Sequence, residues 1–267
     1  MAGKLRLDAL LVRRGLVGGR DRAKELIAQG LVTVSGLPAQ KPSQLCGEEE
    51  PIALLGEQAR LVSRAAQKLE GALEAFPIEL EGRVVLDIGA STGGFTQVAL
   101  ERGARQVYAV DVGTGQLAEA LRQDPRVIDL QQTDIRALSP ESLPQRPEAA
   151  VCDVSFISLR LVLPALRRLL IPEGEAVVLI KPQFEAGRQA VGRGGIVRDP
   201  QVHRRVLREM TALFPQEGFA LRGLIPSPIR GGDGNAEYLA WLGPRGASVA
   251  PPVDELVMRA LAGQSER

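Results

Sequence analysis

Five short apolar runs in this chain each end in, or lead into, residues able to do chemistry. Val84–Ile88 holds Asp87 and continues into Gly89, Ala90, Ser91, Thr92, Gly93, Gly94 and Phe95. Val107–Val110 is followed by Asp111, and Val127–Leu130 by Asp134. Ala149–Val154 contains Asp153, and Ala176–Ile180 runs directly into Lys181. One aspartate after such a run is usually a turn residue or a helix N-cap. Five runs with an ionisable or glycine-rich group at the same end point to a site. The glycine-rich stretch lacks the terminal Gly-Lys-Ser/Thr of a phosphate-cradling loop. It also lacks the second glycine of G-x-G-x-x-G, which lets a backbone approach a pyrophosphate. An adenosyl cofactor without phosphates fits better, with Asp111 spaced to hold a ribose diol. That combination suggests S-adenosylmethionine, with Asp87, residues 89–95, Asp111 and Asp134 as its candidate contacts.

The runs are too short and too continuous for half-exposed strands, and they fit a parallel sheet covered on both faces. Helical segments near 94–102, 115–123 and 158–170 separate them, which is the rhythm of a doubly wound α/β fold. In such a sheet, ligands bind outside the carboxyl ends of the strands. A helix near 201–214 precedes Leu221–Ile225 and Glu237–Leu242, which flank the turn-rich Arg230-Gly-Gly-Asp-Gly-Asn235. These two runs are expected to form an antiparallel pair at the end of the sheet.

The chain has 267 residues and a net charge of +1, but the charge is unevenly distributed. Residues 1–45 hold Lys4, Arg6, Arg13, Arg14, Arg20, Arg22, Lys24 and Lys41 against three acids, a local charge of +5. A basic head on a mildly acidic body suggests a polyanionic partner. The head reads as a small α+β module. Leu7, Leu10, Leu11 and Leu16 recur at helical spacing, and Arg22–Gln29 forms a second amphipathic helix stopped by Gly30. Val32 and Val34 alternate with polar residues before a Gly36 turn, as in a short hairpin. The stretch Gly47–Glu57 shows no period and is expected to end the module.

The motifs Asp87-Ile-Gly-Ala-Ser-Thr-Gly-Gly-Phe-Thr96, Cys152-Asp-Val-Ser-Phe-Ile-Ser158, Leu179-Ile-Lys-Pro-Gln-Phe-Glu185 and Asn235-Ala-Glu-Tyr238 together resemble the TlyA/haemolysin A family. The head, with Arg6-Leu-Asp8, Gly19-Arg20, Val32, Val34 and Lys41-Pro42, resembles the alpha-L RNA-binding motif that precedes that family's FtsJ-like domain. Two departures are visible: Gly19 stands where serine is usual, and Ser63-Arg-Ala-Ala-Gln-Lys68 has alanines in place of glycines.

The resemblance implies a Rossmann-like S-adenosylmethionine-dependent methyltransferase sheet behind a small RNA-binding domain. Its parts would be 1–56, a linker at 57–63, and 64–267. It further implies a cytidine 2′-O-methyltransferase of ribosomal RNA, a cytoplasmic enzyme acting on ribosomal RNA or ribosomal subunits. The family's Lys-Asp-Lys-Glu tetrad falls on Lys68, Asp153, Lys181 and Glu237. A ribose 2′-hydroxyl is a feeble nucleophile that must lose its proton in line with the methyl donor. On this reading Lys181 is the base, Lys68 and the sulfonium charge favour its neutral form, and Asp153 and Glu237 position the amines. RNA-binding candidates are Arg6, Arg13, Arg14, Arg20, Arg22, Lys24 and Lys41.

Several classes drop out. One histidine and two cysteines offer no metal-ligand spacing and no disulfide framework. His203 reads as a structural or surface residue and not a ligand, and Cys152 as a small core residue. No apolar stretch is long enough for a signal peptide or a membrane span. The family's older name raises a membrane-active reading, but no long amphipathic or alternating insertable segment is present. A non-catalytic RNA-binding protein on a relict methyltransferase fold is the other alternative, and the four filled tetrad positions argue against it.

Overall fold

The computed structural model describes residues 4–56, 61–246 and 252–265. In the head, β1 (Lys4–Arg6) leads into α1 (Leu7–Arg13) and α2 (Arg20–Ala28). Strands β2 (Val32–Val34), β3 (Leu37–Pro38), β4 (Leu45–Gly47) and β5 (Ile52–Leu54) follow. β1 pairs with β4, and β2 lies between β3 and β5, all antiparallel. Past α2, Gly30 adopts φ +73°, the left-handed conformation that glycine takes without steric cost.

Two expectations for the head need correction. Leu16 lies beyond α1, because the chain turns through Gly15 at φ +67°. The aperiodic stretch 47–57 contains β5, whose three residues are too few to show an alternating pattern. Over the whole expected module, residues 1–56, Glu48, Glu49 and Glu50 bring the count to eight basic and six acidic residues, a net +2. Of the expected linker at 57–63, residues 57–60 lie outside the described residues.

The body begins with α3 (Ala66–Ala75), β6 (Val84–Ile88), α4 (Gly94–Glu101), β7 (Gln106–Val110) and α5 (Glu119–Arg122). It continues through β8 (Val127–Leu130), β9 (Ala149–Cys152), α6 (Leu159–Leu169), β10 (Glu175–Ile180) and α7 (Pro182–Glu185). α8 (Pro200–Leu213), β11 (Phe219–Pro226), β12 (Tyr238–Pro244) and α9 (Val253–Ser265) complete it. One seven-stranded sheet runs in the order β11-β12-β10-β9-β6-β7-β8. The strands from β10 to β8 are parallel, and β12 is antiparallel to both β10 and β11. The expected terminal antiparallel pair is therefore present. The helix expected at 115–123 is only one turn long, because Gly115 takes φ +62° and Ala118 is still extended.

Both faces of the sheet are covered, which explains the continuous apolar runs. Val84, Leu86 and Ile88 pack on one face with α6 and α8, while Val85 packs on the other with α3 and α4. The head has its own core around Leu7, Leu10, Leu11, Leu26, Val32 and Cys46. It touches the body closely at Gly18. A β-carbon there would stand 3.2 Å from the Val62 carbonyl and 3.5 Å from the side chains of Thr92 and Ala118.

Leu26 is completely buried in the head core. Leu26→Ala is expected to cost about 2–5 kcal/mol of head stability. Hydrogen exchange should register this as lost protection of amides in α1, α2 and β2, with the amides of the seven-stranded sheet unchanged.

Candidate active site

Strand register assembles the four tetrad candidates. In the β9–β10 pair Cys152 is opposite Val178, and in the β6–β9 pair it is opposite Ile88, so Asp153 emerges beside Gly89. In the antiparallel β10–β12 pair Ile180 faces Tyr238, which sets Glu237 across from Lys181. Lys68 arrives from the first turn of α3.

The result is a chain of ion pairs. Lys181 Nζ lies 2.6 Å from Asp153 Oδ1. Lys68 Nζ is 3.3 Å from Asp153 Oδ2 and 2.7 Å from Glu237 Oε2. Lys181 Nζ also donates to Ser155 Oγ at 2.9 Å and stands 5.9 Å from the Phe184 ring centre. Lys68, Lys181 and Glu237 are all under 10% exposed. Burial by itself would disfavour the Lys68 ammonium, but the Asp153 and Glu237 carboxylates outweigh it and raise the pKa above the ordinary lysine value. Burial likewise works against the Asp153 carboxylate, yet Lys68 and Lys181 hold its pKa below the usual range. Gly231 keeps the space beside Glu237 open, since a β-carbon there would come within 2.5 Å of Oε1.

Two connected cavities meet at this cluster. The smaller, about 300 Å³, is lined by Lys68, Asp153, Lys181 and Glu237 together with Ala90, Thr92, Gly94 and Phe95. The larger, about 850 Å³, is lined by Asp111 and Asp134, with Gly89, Ser91, Asp153, Ser155 and Phe156 shared between the two. Gly89 takes φ +81°, and a β-carbon there would fall 2.6 Å from the Asp153 carbonyl oxygen. Asp111 accepts from the Ser91 and Gly113 amides at 2.9 and 2.7 Å, which fixes its carboxylate at the cavity wall. Asp134 caps the following turn and pairs with Arg136, which holds its pKa below the ordinary value.

Two cofactor candidates lie outside both linings. Asp87 is fully buried beneath the glycine loop, bonded to Thr96 Oγ1 at 2.6 Å, with its other oxygen unpartnered. Desolvation raises its pKa to about 7. Gly93 at φ +94° caps α4 and packs against Leu117 and Leu121. Three exposed apolar residues at the larger cavity carried no sequence expectation as site residues: Val112, Phe156 and Leu161, exposed by 73%, 93% and 53%. Their signal was weak but present, since Val112 and Phe156 follow closely on strand-end aspartates.

Two glycine-rich loops, 187–198 with Arg188, Arg193 and Arg198, and 230–235 with Arg230, are tied together by one side chain. Asn235 accepts from the Val197 amide and donates to the Gly195 carbonyl. His203 is buried and structural, and not on the surface, the other reading its sequence left open. Its Nε2 donates to the Val197 carbonyl, leaving Nδ1 to accept from the Tyr238 hydroxyl. Cys152 is a core residue whose thiol burial pushes up to about 12.

The basic residues of the head divide by contact. Arg6 and Arg20 both pair with the buried Asp8, and Lys24 pairs with Asp21. All three are exposed, as is Lys41. Arg13 pairs with Glu48, and Arg14 donates to the Glu48 and Glu50 carbonyls. Arg22 departs from expectation. It is only 8% exposed, paired with Glu25 and donating to the Leu61 carbonyl, so it joins head to body instead of facing solvent.

A glycine loop after the first strand, an acid at the end of the second and an antiparallel last strand define a methyltransferase of the Rossmann-like class. Residues 61–244 match the FtsJ-like methyltransferase model, and residues 5–52 match the S4 domain. The chain is 48% identical over 243 residues to the Mycobacterium tuberculosis 16S/23S rRNA (cytidine-2′-O)-methyltransferase TlyA, covering 91% of each protein. It is 38% identical to Hemolysin A of Brachyspira hyodysenteriae over 88% of this chain and 98% of that one. A solved structure from Streptococcus thermophilus, under a hemolysin name, matches 100% of this chain and 98% of its own at 43% identity and TM-score 0.77. The chain belongs to the FtsJ-like methyltransferases, in the S4-bearing TlyA/haemolysin A family. Among the described residues no helix is long and apolar enough to cross a membrane.

Two outcomes follow from this geometry. Gly89→Ala places a side chain where φ is +81° and space is absent, so a loss of about 1–3 kcal/mol or more is expected in thermal unfolding. Asp8 is held below the usual carboxylate range, chiefly by its bond from Arg6. Its contribution is therefore complete above the unfolded value of about 3.9 and disappears as pH falls below it. Asp8→Asn should lower head stability at neutral pH and flatten its acid dependence, as followed by hydrogen exchange at pH 3–7.

Proposed function

We propose that this chain is an S-adenosylmethionine-dependent cytidine 2′-O-methyltransferase of ribosomal RNA, acting on ribosomal subunits or their RNA in the cytoplasm. The observation that carries the reading is the contact of Lys181 Nζ with Asp153 Oδ1 at 2.6 Å, on the wall where the two cavities join. The name borne by the Mycobacterium tuberculosis relative supports the substrate class.

The residues fit the cofactor. Gly89 brings backbone to within contact of the Asp153 carbonyl, and Asp111 offers the lone pairs its two amide bonds leave over to a ribose diol. Val112, Ile135 and Leu161 supply apolar wall for an adenine. When bound, S-adenosylmethionine supplies an electrophilic methyl group on sulfur. Ser91 and Asp111 hold the cofactor side of the cleft, and the smaller cavity takes the ribose.

Lys181 in its unprotonated form accepts the proton of the 2′-hydroxyl and so leaves that oxygen nucleophilic; bound S-adenosylmethionine would supply the methyl group, its carbon–sulfur bond breaking so that the sulfur departs as a neutral thioether. Asp153 orients that amine. Lys68 stays an ammonium, balanced between Asp153 and Glu237, and stops two carboxylates from repelling each other across a buried site. On the RNA side, Arg6, Arg20, Lys24 and Lys41 provide exposed positive charge for phosphates. Shape recognition of structured RNA, whose shallow minor groove displays 2′-hydroxyls, suits a small basic domain.

The test is transfer of a radiolabelled methyl group from S-adenosylmethionine to purified ribosomal subunits. The wild type should label RNA at a site that then resists alkaline cleavage. Lys181→Ala should reduce the rate by roughly 10²–10⁴-fold. Equal activity of the two proteins would remove Lys181 from the role of base, and alkali-sensitive label would place the methyl elsewhere than on a 2′-oxygen.

A further inference from the structure

We infer that Ser155 is a positioning residue that aims the Lys181 nitrogen, an inference that rests on the reading of Lys181 as the base. A neutral primary amine has two N–H bonds and one lone pair, arranged tetrahedrally around nitrogen with the Cε bond. It works as a base only when the lone pair faces the proton to be removed. Rotation about Cε–Nζ is otherwise nearly free. One hydrogen-bond acceptor fixes one N–H and leaves the lone pair a choice of two positions. A second acceptor removes that choice.

Lys181 has two oxygen neighbours at hydrogen-bonding distance. Asp153 Oδ1 lies at 2.6 Å and Ser155 Oγ at 2.9 Å. Both belong to the segment that leaves β9, two residues apart, and both line the tetrad cavity beside Lys181. With one N–H donated to Ser155 Oγ and a second drawn toward the Asp153 carboxylate in the ion pair, the remaining tetrahedral position of nitrogen belongs to the lone pair. After the 2′-hydroxyl proton is taken up, that same position carries the third N–H of the ammonium. The proton count is complete: the hydroxyl loses one proton, Lys181 gains it, and Asp153 and Ser155 exchange none.

Asp153 cannot supply this alignment alone. Its Oδ2 accepts from Lys68 at 3.3 Å, and its Oδ1 meets Lys181 as an ion pair at 2.6 Å without hydrogen-bond geometry. Glu237 is engaged by Lys68 at 2.7 Å. Ser155 is thus the second acceptor for the base, and unlike the tetrad members it brings no charge. A neutral hydroxyl orients the amine without adding charge to the site.

The experiment measures methyl transfer to ribosomal subunits by wild type, Ser155→Ala, Ser155→Thr and Lys181→Ala, with S-adenosylmethionine affinity determined separately by calorimetry. Ser155→Ala should lower kcat roughly 10- to 100-fold, with the KM for subunits and the cofactor Kd within about twofold of wild type. Ser155→Thr retains the hydroxyl and should recover most of kcat. Unchanged kcat in Ser155→Ala would overturn the proposal. So would a loss that appears in cofactor Kd or subunit KM, or one that Ser155→Thr fails to recover, since each marks a contact or packing role. The underlying reading is judged apart from this one: if Lys181→Ala turns over like wild type, the base assignment itself fails, whatever Ser155 does.

Discussion

The constraint on which this molecule depends is the burial of two ammonium groups at the end of an apolar sheet. Each ion removed from water costs several kcal/mol unless it is paired and hydrogen-bonded. Here two lysines and two carboxylates, all nearly inaccessible, form one chain from Lys181 through Asp153 and Lys68 to Glu237. With both amines protonated the four groups sum to zero charge, which is why they can share one cleft. The arrangement leaves little freedom. Asp153 has one oxygen for each lysine, and β12 must run antiparallel to β10 for Glu237 to stand across from Lys181.

Around that cluster the backbone is shaped for close approach. Gly89 passes against the Asp153 carbonyl, where no side chain would fit. Ser91 at φ +49° and Phe156 at φ +64° hold left-handed conformations that cost a non-glycine residue of order 1–3 kcal/mol. Both border the larger cavity, and Phe156 is also almost fully exposed. Strain and exposed apolar surface therefore coincide where a ligand would relieve the second. Asn235, His203 and Tyr238 brace the neighbouring loops from behind, through bonds to the Gly195 carbonyl and to the Val197 amide and carbonyl.

The head adds a second, looser constraint. Asp8 gathers Arg6 and Arg20 on one buried carboxylate, so these two cations are presented together. Glu48 and neighbouring carbonyls occupy Arg13 and Arg14, and Arg22 is spent on the contact with the body. The positive charge left facing solvent is smaller than a count over residues 1–45 suggests. The contacts of Gly18 with Val62, Thr92 and Ala118 place the module directly against the glycine loop.

Much of this was legible in the sequence alone. Apolar runs with a reactive group at their carboxyl ends announced the doubly wound sheet. The runs from β6 to β10 were found within two residues of their observed limits, because both faces are buried and the signal is continuous. The tetrad could be named only through resemblance to a family, since Lys68 alone reads as a surface charge on a helix. Three-residue β5, the buried Arg22, and the engaged Arg13 and Arg14 were not legible. What the sequence by itself determined was which segments are strands and which residue types stand at their ends, because those follow from local period and composition. Only the tertiary structure decided which charges meet, because Lys68 and Asp153 are 85 positions apart. Their contact depends on strand order, register and helix packing, none of which is written in any single segment.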